Sequence, residues 1–325
     1  MEWYYISTNK LTIAVDCMGG DLGPAAVVEG ALWAKKEFPD VKLVLVGPED
    51  VLRGELARHG TELEIMHASE VIEVNETPTT AIKRKKESSM VLGLKSLREG
   101  TANGFVSAGS TGALLAGVFM FVKRQPGIER PALCTLLPTK TGHTLLLDCG
   151  ANAEVKPSYL LQFGQMGAEY MQKVMGVKNP RVGLVNIGAE KEKGTPVYKE
   201  AYELLEASGL NFVGNIEGRG IPEGEADVAV CDGFVGNVTL KMAEGLSKTL
   251  LGMIKEELMS SPISKLGALL AKGAFGKLKK RFDYREVGGA PFLGLSSLVV
   301  KAHGSSDALA IKNAIRQCIL YNAAQ

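Results

Sequence analysis

Short apolar runs alternate with stretches of helical spacing along most of the chain. Residues 11–16, 41–46, 64–66, 105–106, 182–187, 212–216, 228–230 and 298–301 are brief and nearly continuous in apolar character. That is the pattern of strands buried on both faces of a parallel sheet. Between them, residues 25–38 carry the pairs Val27/Ala31 and Val28/Leu32 at a spacing of four. Helices are likewise expected near 50–58, 79–98, 157–175 and 196–207, and in a final stretch to about Tyr321. Pro24 and Pro78 stand where a helix begins, a position that tolerates the missing N–H. Residues 132–137 and 144–147 flank a turn at Lys140-Thr141-Gly142-His143, which predicts an antiparallel excursion and so a mixed sheet. From Gly233 a long helix is expected, with Met242, Leu246, Leu250, Ile254 and Leu258 forming an apolar stripe. The whole reads as one large α/β domain over 11–325, with residues 1–10 an extension before the first strand.

Polar and glycine residues gather where the strands end. Six such loops occur, at 16–21, 107–112, 148–152, 187–194, 232–237 and 303–307. Ligands of open α/β sheets bind at the carboxyl ends of strands, so these loops are expected to line one large cleft. In Ser107-Ala108-Gly109-Ser110-Thr111-Gly112 an apolar run hands over to a helical one through small residues. Unpartnered N–H groups at such a junction, with a hydroxyl from Ser110 or Thr111, suit an anion, phosphate above all. The same loop can equally be a packing turn. Its spacing matches neither the dinucleotide fingerprint nor the P-loop.

Composition narrows the classes. With 325 residues, 46% hydrophobic, 22% charged and a net charge of +1, the chain has globular values and no nucleic-acid signature. Its five cysteines show no C-x-x-C pair, which argues for a reducing compartment and against structural zinc. No apolar stretch reaches the length of a membrane span, and the N-terminus lacks a signal-peptide pattern. One segment differs from its surroundings. Residues 262–282 hold Lys265, Lys272, Lys277, Lys279, Lys280 and Arg281 with no acidic residue, interleaved with Leu266, Leu270, Phe275 and other apolar side chains. An amphipathic basic tip of this kind fits an anionic membrane or an acidic protein. Gly267, Gly273 and Gly276 favour a helical hairpin over one long helix. The basic run Lys83-Arg84-Lys85-Lys86 is a second docking candidate, although such runs are usually solvated faces.

Most catalytic signatures are absent. There is no H-E-x-x-H and no G-x-S-x-G, and of the four histidines only His303 lies in a strand-end loop. Asp16, Asp21, Asp148 and Asp232 could hold a divalent metal, but capping of the following helices accounts for them better. What remains is a cleft of amides and hydroxyls with one lysine, Lys193, in a loop. Such a site can run a reaction whose nucleophile arrives ionised. Inorganic phosphate needs no base to attack a thioester, only in-line positioning and an oxyanion hole.

Six motifs, in order, resemble those of the bacterial acyl-ACP:phosphate acyltransferases of phospholipid synthesis. They are Val15-Asp16-Cys17-Met18-Gly19-Gly20-Asp21, Arg84-Lys85-Lys86-Glu87-Ser88-Ser89-Met90, Ser107-Ala108-Gly109-Ser110-Thr111-Gly112-Ala113-Leu114, Leu147-Asp148-Cys149-Gly150-Ala151-Asn152, Asp232-Gly233-Phe234-Val235-Gly236-Asn237 and Lys301-Ala302-His303-Gly304-Ser305-Ser306-Asp307. The resemblance implies transfer of a long-chain acyl group from the acyl carrier protein (ACP) thioester to inorganic phosphate, with direct attack, no covalent enzyme intermediate and no cofactor. It implies an α/β/α sandwich with a mostly parallel mixed sheet, resembling the isocitrate/isopropylmalate dehydrogenase-like fold and that of phosphotransacetylases. It also implies a homodimer in the cytoplasm, peripherally associated with the inner face of the cell membrane through 262–282.

By the same match, Lys193 and Asn237 are the candidates for polarising the thioester carbonyl and holding the oxyanion. Asp16, Gly19, Gly20, Gly109, Ser110, Thr111 and Gly112 are substrate-binding candidates, as are Asp148, Asn152, Asp232, Gly233, His303, Gly304 and Ser305. Lys83 and Arg84 join the 262–282 tip as carrier-protein or membrane contacts. The family usually has Ala at Cys17, His-Ala-Pro at Leu22-Gly23-Pro24 and Asn at Ser110, so no histidine base exists at position 22 here. A long chain also needs a groove. At about 0.8 kcal/mol per methylene, roughly sixteen carbons contribute at most on the order of 10 kcal/mol, and the 242–258 stripe with the tip could supply the surface. The alternatives are a short-chain phosphotransacetylase, a metal- and NAD-dependent dehydrogenase, and a non-catalytic scaffold.

Overall fold

The computed structural model describes residues 11–323; the 1–10 extension lies outside the described residues. In chain order the first half runs β1 (Thr12–Asp16), α1 (Gly23–Glu37), β2 (Lys42–Gly47), α2 (Glu49–Arg58), β3 (Glu64–His67), α3 (Pro78–Arg84), α4 (Ser89–Glu99), β4 (Gly104–Ser107) and α5 (Thr111–Phe121). Then come β5 (Ala132–Pro138), β6 (His143–Leu147), α6 (Pro157–Lys173), β7 (Val182–Asn186), α7 (Pro196–Glu206), β8 (Phe212–Glu217), α8 (Gly220–Glu223), β9 (Val228–Val230) and α9 (Gly233–Leu258). The chain closes with α10 (Pro262–Leu270), α11 (Lys272–Arg281), α12 (Tyr284–Val287), β10 (Ala290–Leu293), β11 (Leu298–Lys301) and α13 (Ala308–Ala323).

All eleven strands form one sheet in the order β3-β2-β1-β4-β11-β10-β5-β6-β9-β7-β8. The predicted strands are present within a residue or so of their expected ends, and β5–β6 is the antiparallel pair expected from its short turn. The expected helix over 79–98 is two helices. The first ends at Arg84 with Lys85 as its cap, and Ser88 caps the second, its hydroxyl accepting from the Val91 N–H at 3.4 Å.

β10 is the strand that the pattern did not reveal, and it organises the sheet. It lies antiparallel to both β11 and β5. Because β5 is in turn antiparallel to β6, the strands β1–β4 and β11 run one way and β6–β9 the other. Two buried apolar clusters, one per face, fill the space between sheet and helices. Fit between layers is tight. A Cβ on Gly93 would lie 2.1 Å from the Phe105 ring, so only glycine lets α4 close on β4.

α9 behaves differently from the other long helices. Its 26 residues span about 39 Å at 1.5 Å per residue, yet only Gly233 and Gly236 are buried. Met242, Leu246, Leu250 and Met253 are all more than half exposed. Beyond it the 262–282 tip holds two helices, α10 and α11, separated at Ala271.

Candidate active site

The strand-end loops form two contact clusters, one from each direction of strand. In the first, the ends of β1, β4 and β11 meet. Asp16 is buried; its carboxylate accepts from the Ser107 hydroxyl at 2.6 Å and the Met18 N–H at 3.1 Å. The Ser107 hydroxyl accepts in turn from the Gly109 N–H at 3.1 Å, turning the chain toward α5. Gly19 sits directly on this turn, where a Cβ would fall 2.4 Å from the Gly109 nitrogen. Gly20, at φ +98°, lies against Gly304, and the Asp21 N–H donates to the Gly304 carbonyl at 2.7 Å.

Ser110 caps α5 through the Ala113 N–H at 3.4 Å. Thr111 and Gly112 therefore stand exposed at the open first turn, where amides have no intrahelical partner. His303 and Ser305 are exposed above Gly304 and joined by a 2.9 Å hydrogen bond between Nδ1 and Oγ. Chemically this cluster offers the first-turn amides of α5 at a helix N-terminus, which favour an anion, with the Asp16 and Asp21 carboxylates beside them.

The second cluster joins the ends of β6, β7 and β9. Asp148 is fully buried and accepts from the N–H groups of Leu133, Gly150, Ala151 and Asn152 and from the Asn152 amide. Burial raises its pKa, against the pull of those donors. The Asn152 side chain also donates to the Pro131 carbonyl at 2.9 Å. Asp148 and Asn152 thus shape the loop and have little left to offer a substrate. Asp148→Ala is expected to cost about 3 kcal/mol or more by orphaning these donors, read as a lower denaturant midpoint.

Asp232 caps α9, accepting from the Val235 N–H at 2.9 Å, and its other oxygen accepts from the Tyr198 hydroxyl at 2.6 Å. Tyr198 thereby ties α7 to the start of α9 and sets the β7 loop beside the β9 loop. Gly233 packs on Asn152, and the exposed Asn237 lies over Gly150, its amide carbon 3.7 Å from the position of a Cβ there. Lys193 is exposed on the β7 loop, its stem folded along Gly188. That loop is pinned from below: the Asn186 amide donates to the Lys193 carbonyl and to Asn215, and Asn215 donates to the Glu190 carbonyl at 2.8 Å.

The expected single lining of six loops is therefore two groups. From β4 to β6 is four strand steps, about 19 Å at 4.8 Å each. α9 shortens the gap. Lys241, one turn beyond Asn237, is near enough to the end of β11 for its charge to lower the pKa of Lys301.

Asp16 and Asp148 organise their loops and Asp232 caps α9; among the described residues no His, Cys, Asp or Glu cluster could hold a metal ion. Sequence reasoning missed Tyr198, which lies 34 positions from its partner and has no local signal. It also missed Lys301, whose signal was available: a lysine closing the apolar run Leu298-Val299-Val300.

The basic candidates divide. Lys83 and Arg84 are exposed on α3, but Lys85 beside them is paired with Glu76 at 2.6 Å. Lys265, Lys272 and Lys277 are exposed with Leu266, Leu270 and Phe275, while Lys280 lies 3.7 Å from Glu286. Arg281 donates to the Thr139 and Lys140 carbonyls and so anchors the tip to the β5–β6 turn. The side chain of Lys279 is outside the described residues. No helix among the described residues is long and apolar enough to cross a membrane.

Similarity to known proteins gives this geometry its chemistry. A family model described as fatty acid synthesis protein matches residues 11–324. A phosphate acyltransferase of Clostridium botulinum (strain Loch Maree / Type A3) is 50% identical over 310 residues, covering 94% of this chain and 92% of its own. That of Clostridium tetani (strain Massachusetts / E88) is 49% identical over 315 residues, covering 96% and 94%. The chain belongs to the phosphate acyltransferases. A phosphate acyltransferase is an enzyme of lipid metabolism that transfers an acyl group to phosphate and gives an acyl-phosphate.

Comparison with solved structures corrects one expectation. This phosphate acyltransferase is an α/β sandwich on a mixed, mostly parallel sheet, but its likeness is to phosphotransacetylases and not to the isocitrate/isopropylmalate dehydrogenase fold. A phosphotransacetylase from Streptococcus pyogenes superposes with a TM-score of 0.65 at 20% identity, over 97% of this chain and 94% of that one. The EutD phosphotransacetylase from Staphylococcus aureus gives 0.62 at 16%, over 98% and 95%. Isocitrate dehydrogenase from Methylococcus capsulatus reaches only 0.49 at 11% identity, over 97% and 87%. Strand-and-helix rhythm is common to all these folds, so the sequence pattern alone could not separate them.

Proposed function

We propose that the protein transfers a long-chain fatty acyl group from the thioester of acyl carrier protein to inorganic phosphate. Phosphate sits at the first turn of α5, beside Gly109, Thr111, Gly112 and the 303–305 loop, and attacks the thioester carbon directly. The phosphate oxygen adds to the carbonyl carbon, giving a tetrahedral oxyanion. Its collapse restores the carbonyl and breaks the carbon–sulfur bond, and the pantetheine sulfur leaves with the electron pair as a thiolate, taking up through solvent the proton that hydrogen phosphate gives up. Charge on the carbonyl oxygen is met by the Lys193 ammonium and the Asn237 amide. Each such donor, held where charge develops, contributes on the order of 10²–10³ in rate. Attack needs reacting atoms about 3–3.5 Å apart, so the groove between the two loop clusters closes on the bound substrates. The observation that supports this reading most is the pair of close backbone contacts Gly19–Gly109 and Gly20–Gly304, which bring the β1, β4 and β11 loops together at the N-terminus of α5.

The stripe of α9 and the leucines of α10 leave many large apolar side chains exposed, as surfaces that meet a partner or a membrane do. In this reading the stripe pairs with a second copy to make a homodimer, and the basic tip rests on the inner face of the cell membrane, where the acyl-phosphate product would otherwise be insoluble. The Lys83 and Arg84 face receives the acidic carrier protein. Purified protein is expected to turn over palmitoyl-ACP with phosphate and to use acetyl- or butyryl-CoA poorly. A preference for the short CoA esters would favour a phosphotransacetylase. Intact mass of the protein mixed with acyl-ACP alone is expected to stay unacylated. Changing Lys272, Lys277 and Lys280 to Gln is expected to release the protein from anionic vesicles in co-sedimentation; unchanged binding would refute the membrane assignment.

A further inference from the structure

Lys301 ends β11 with only 8% of its surface exposed. Among the described residues no carboxylate forms an ion pair with it. Its ammonium instead donates to two main-chain carbonyls, that of Ala302 and, at 3.5 Å, that of Ala108. These carbonyls enter the two loops that meet over the α5 N-terminus. In a trans peptide the N–H points away from the C=O. Holding the Ala108 carbonyl inward therefore aims the Gly109 N–H at the Ser107 hydroxyl, the bond that turns the chain into α5. A buried lysine with no carboxylate in ion-pair contact, only the charges of Asp16 and Asp21 nearby, opposes folding and persists where its charge is used.

We propose that Lys301 is a positioning residue for phosphate: it clamps the 107–112 and 302–305 loops together and gives their pocket the buried positive charge against which the anion is held. This rests on the reading of those loops as the phosphate site. The charged groups facing Lys301 are Asp16 and Asp21, from and just beyond β1, which favour its protonation, and Lys241 from α9, which disfavours it. Burial is the largest influence, and together these bring its pKa down to about 8. The clamp is thus charged at neutral pH and loses its charge as pH rises through that value. Inorganic phosphate stays a dianion over the same alkaline range, so its own ionisation cannot mimic the effect.

The test uses the purified full chain, with acyl-ACP saturating and phosphate varied. In the wild type, KM for phosphate is expected to rise about tenfold per pH unit above pH ~8 while KM for acyl-ACP changes less than about twofold. Lys301→Met is expected to raise KM for phosphate about 30-fold or more near neutral pH and to flatten that alkaline rise, with thermal stability equal to or above the wild type. Inorganic phosphate alone, against chloride at equal ionic strength, supplies a readout independent of turnover. It should raise Tm of the wild type at neutral pH and have no effect on Lys301→Met or on the wild type at alkaline pH.

A flat wild-type pH profile overturns the proposal. So does a folded Lys301→Met with unchanged KM for phosphate, or one that loses acyl-ACP and phosphate saturation together with a lowered Tm. Should Lys301→Met fail to fold, the wild-type profile and phosphate-dependent Tm decide. Failure of the underlying reading looks different: no acyl-phosphate at any pH, and no phosphate-dependent Tm shift in the wild type.

Discussion

Lys193→Ala is expected to lower kcat by about 10²–10³ with little change in KM for phosphate or in Tm, and Asn237→Ala to do the same. Both side chains are exposed, and neither closes a core contact, so loss of fold cannot account for such a fall. Lys193 stands on a loop whose backbone is fixed by Asn186 and Asn215, and Asn237 on the first turns of α9 over Gly150. Removing the ammonium takes away an interaction that forms only as the oxyanion develops, which is why kcat falls and KM does not. The pair acts on one atom, so the double variant should be little worse than either single one. Steady-state kinetics with a chain-length-matched acyl-ACP measures all three. Full activity in Lys193→Ala would remove this residue from the mechanism.

Gly19→Ala is expected to be the most damaging single-atom change at the phosphate loops. A Cβ there would lie 2.4 Å from the Gly109 nitrogen and 2.8 Å from its Cα. Both are backbone atoms and cannot rotate away, so the β1 and β4 loops must part. Overpacking of this kind costs about 3 kcal/mol, and a shift of about 1 Å in the amides facing phosphate lowers kcat/KM roughly 100-fold. Denaturant melts and phosphate kinetics would show both effects. Alanine at Gly54, inside α2 with open space around it, should leave stability and phosphate kinetics untouched and serves as the control.

Much of this was legible in the sequence because buried parallel strands and polar strand ends leave strong local marks. β1, β4, β6, β7 and β9 are short apolar runs stopped by Gly, Asp or Asn, and the loops that follow them hold most of the candidate site. β10 left no such mark. It has four residues, one of them Pro291, follows Gly288-Gly289, and takes its place only by pairing with strands already formed. Missing it hid the reversal of direction across the sheet, and with it the division of the loops into two clusters. Asp148 and Asp232 are substrate-binding candidates through the family resemblance; only the structure counts the donors that already occupy them. The family resemblance implies both a dehydrogenase-like and a phosphotransacetylase-like fold, and superposition supports the second. Strand order and superposition are properties of long-range pairing, and the helical and strand periods carry none of it.

The central claim is that phosphate itself takes the acyl group from the carrier thioester. Hydroxylamine trapping tests it most directly: purified protein, palmitoyl-ACP and inorganic phosphate are incubated with hydroxylamine, and palmitoyl-hydroxamate is measured. Hydroxamate that appears only when phosphate and active protein are both present is the predicted result. Hydroxamate formed equally without phosphate, or none at all while palmitoyl-ACP persists, would contradict it.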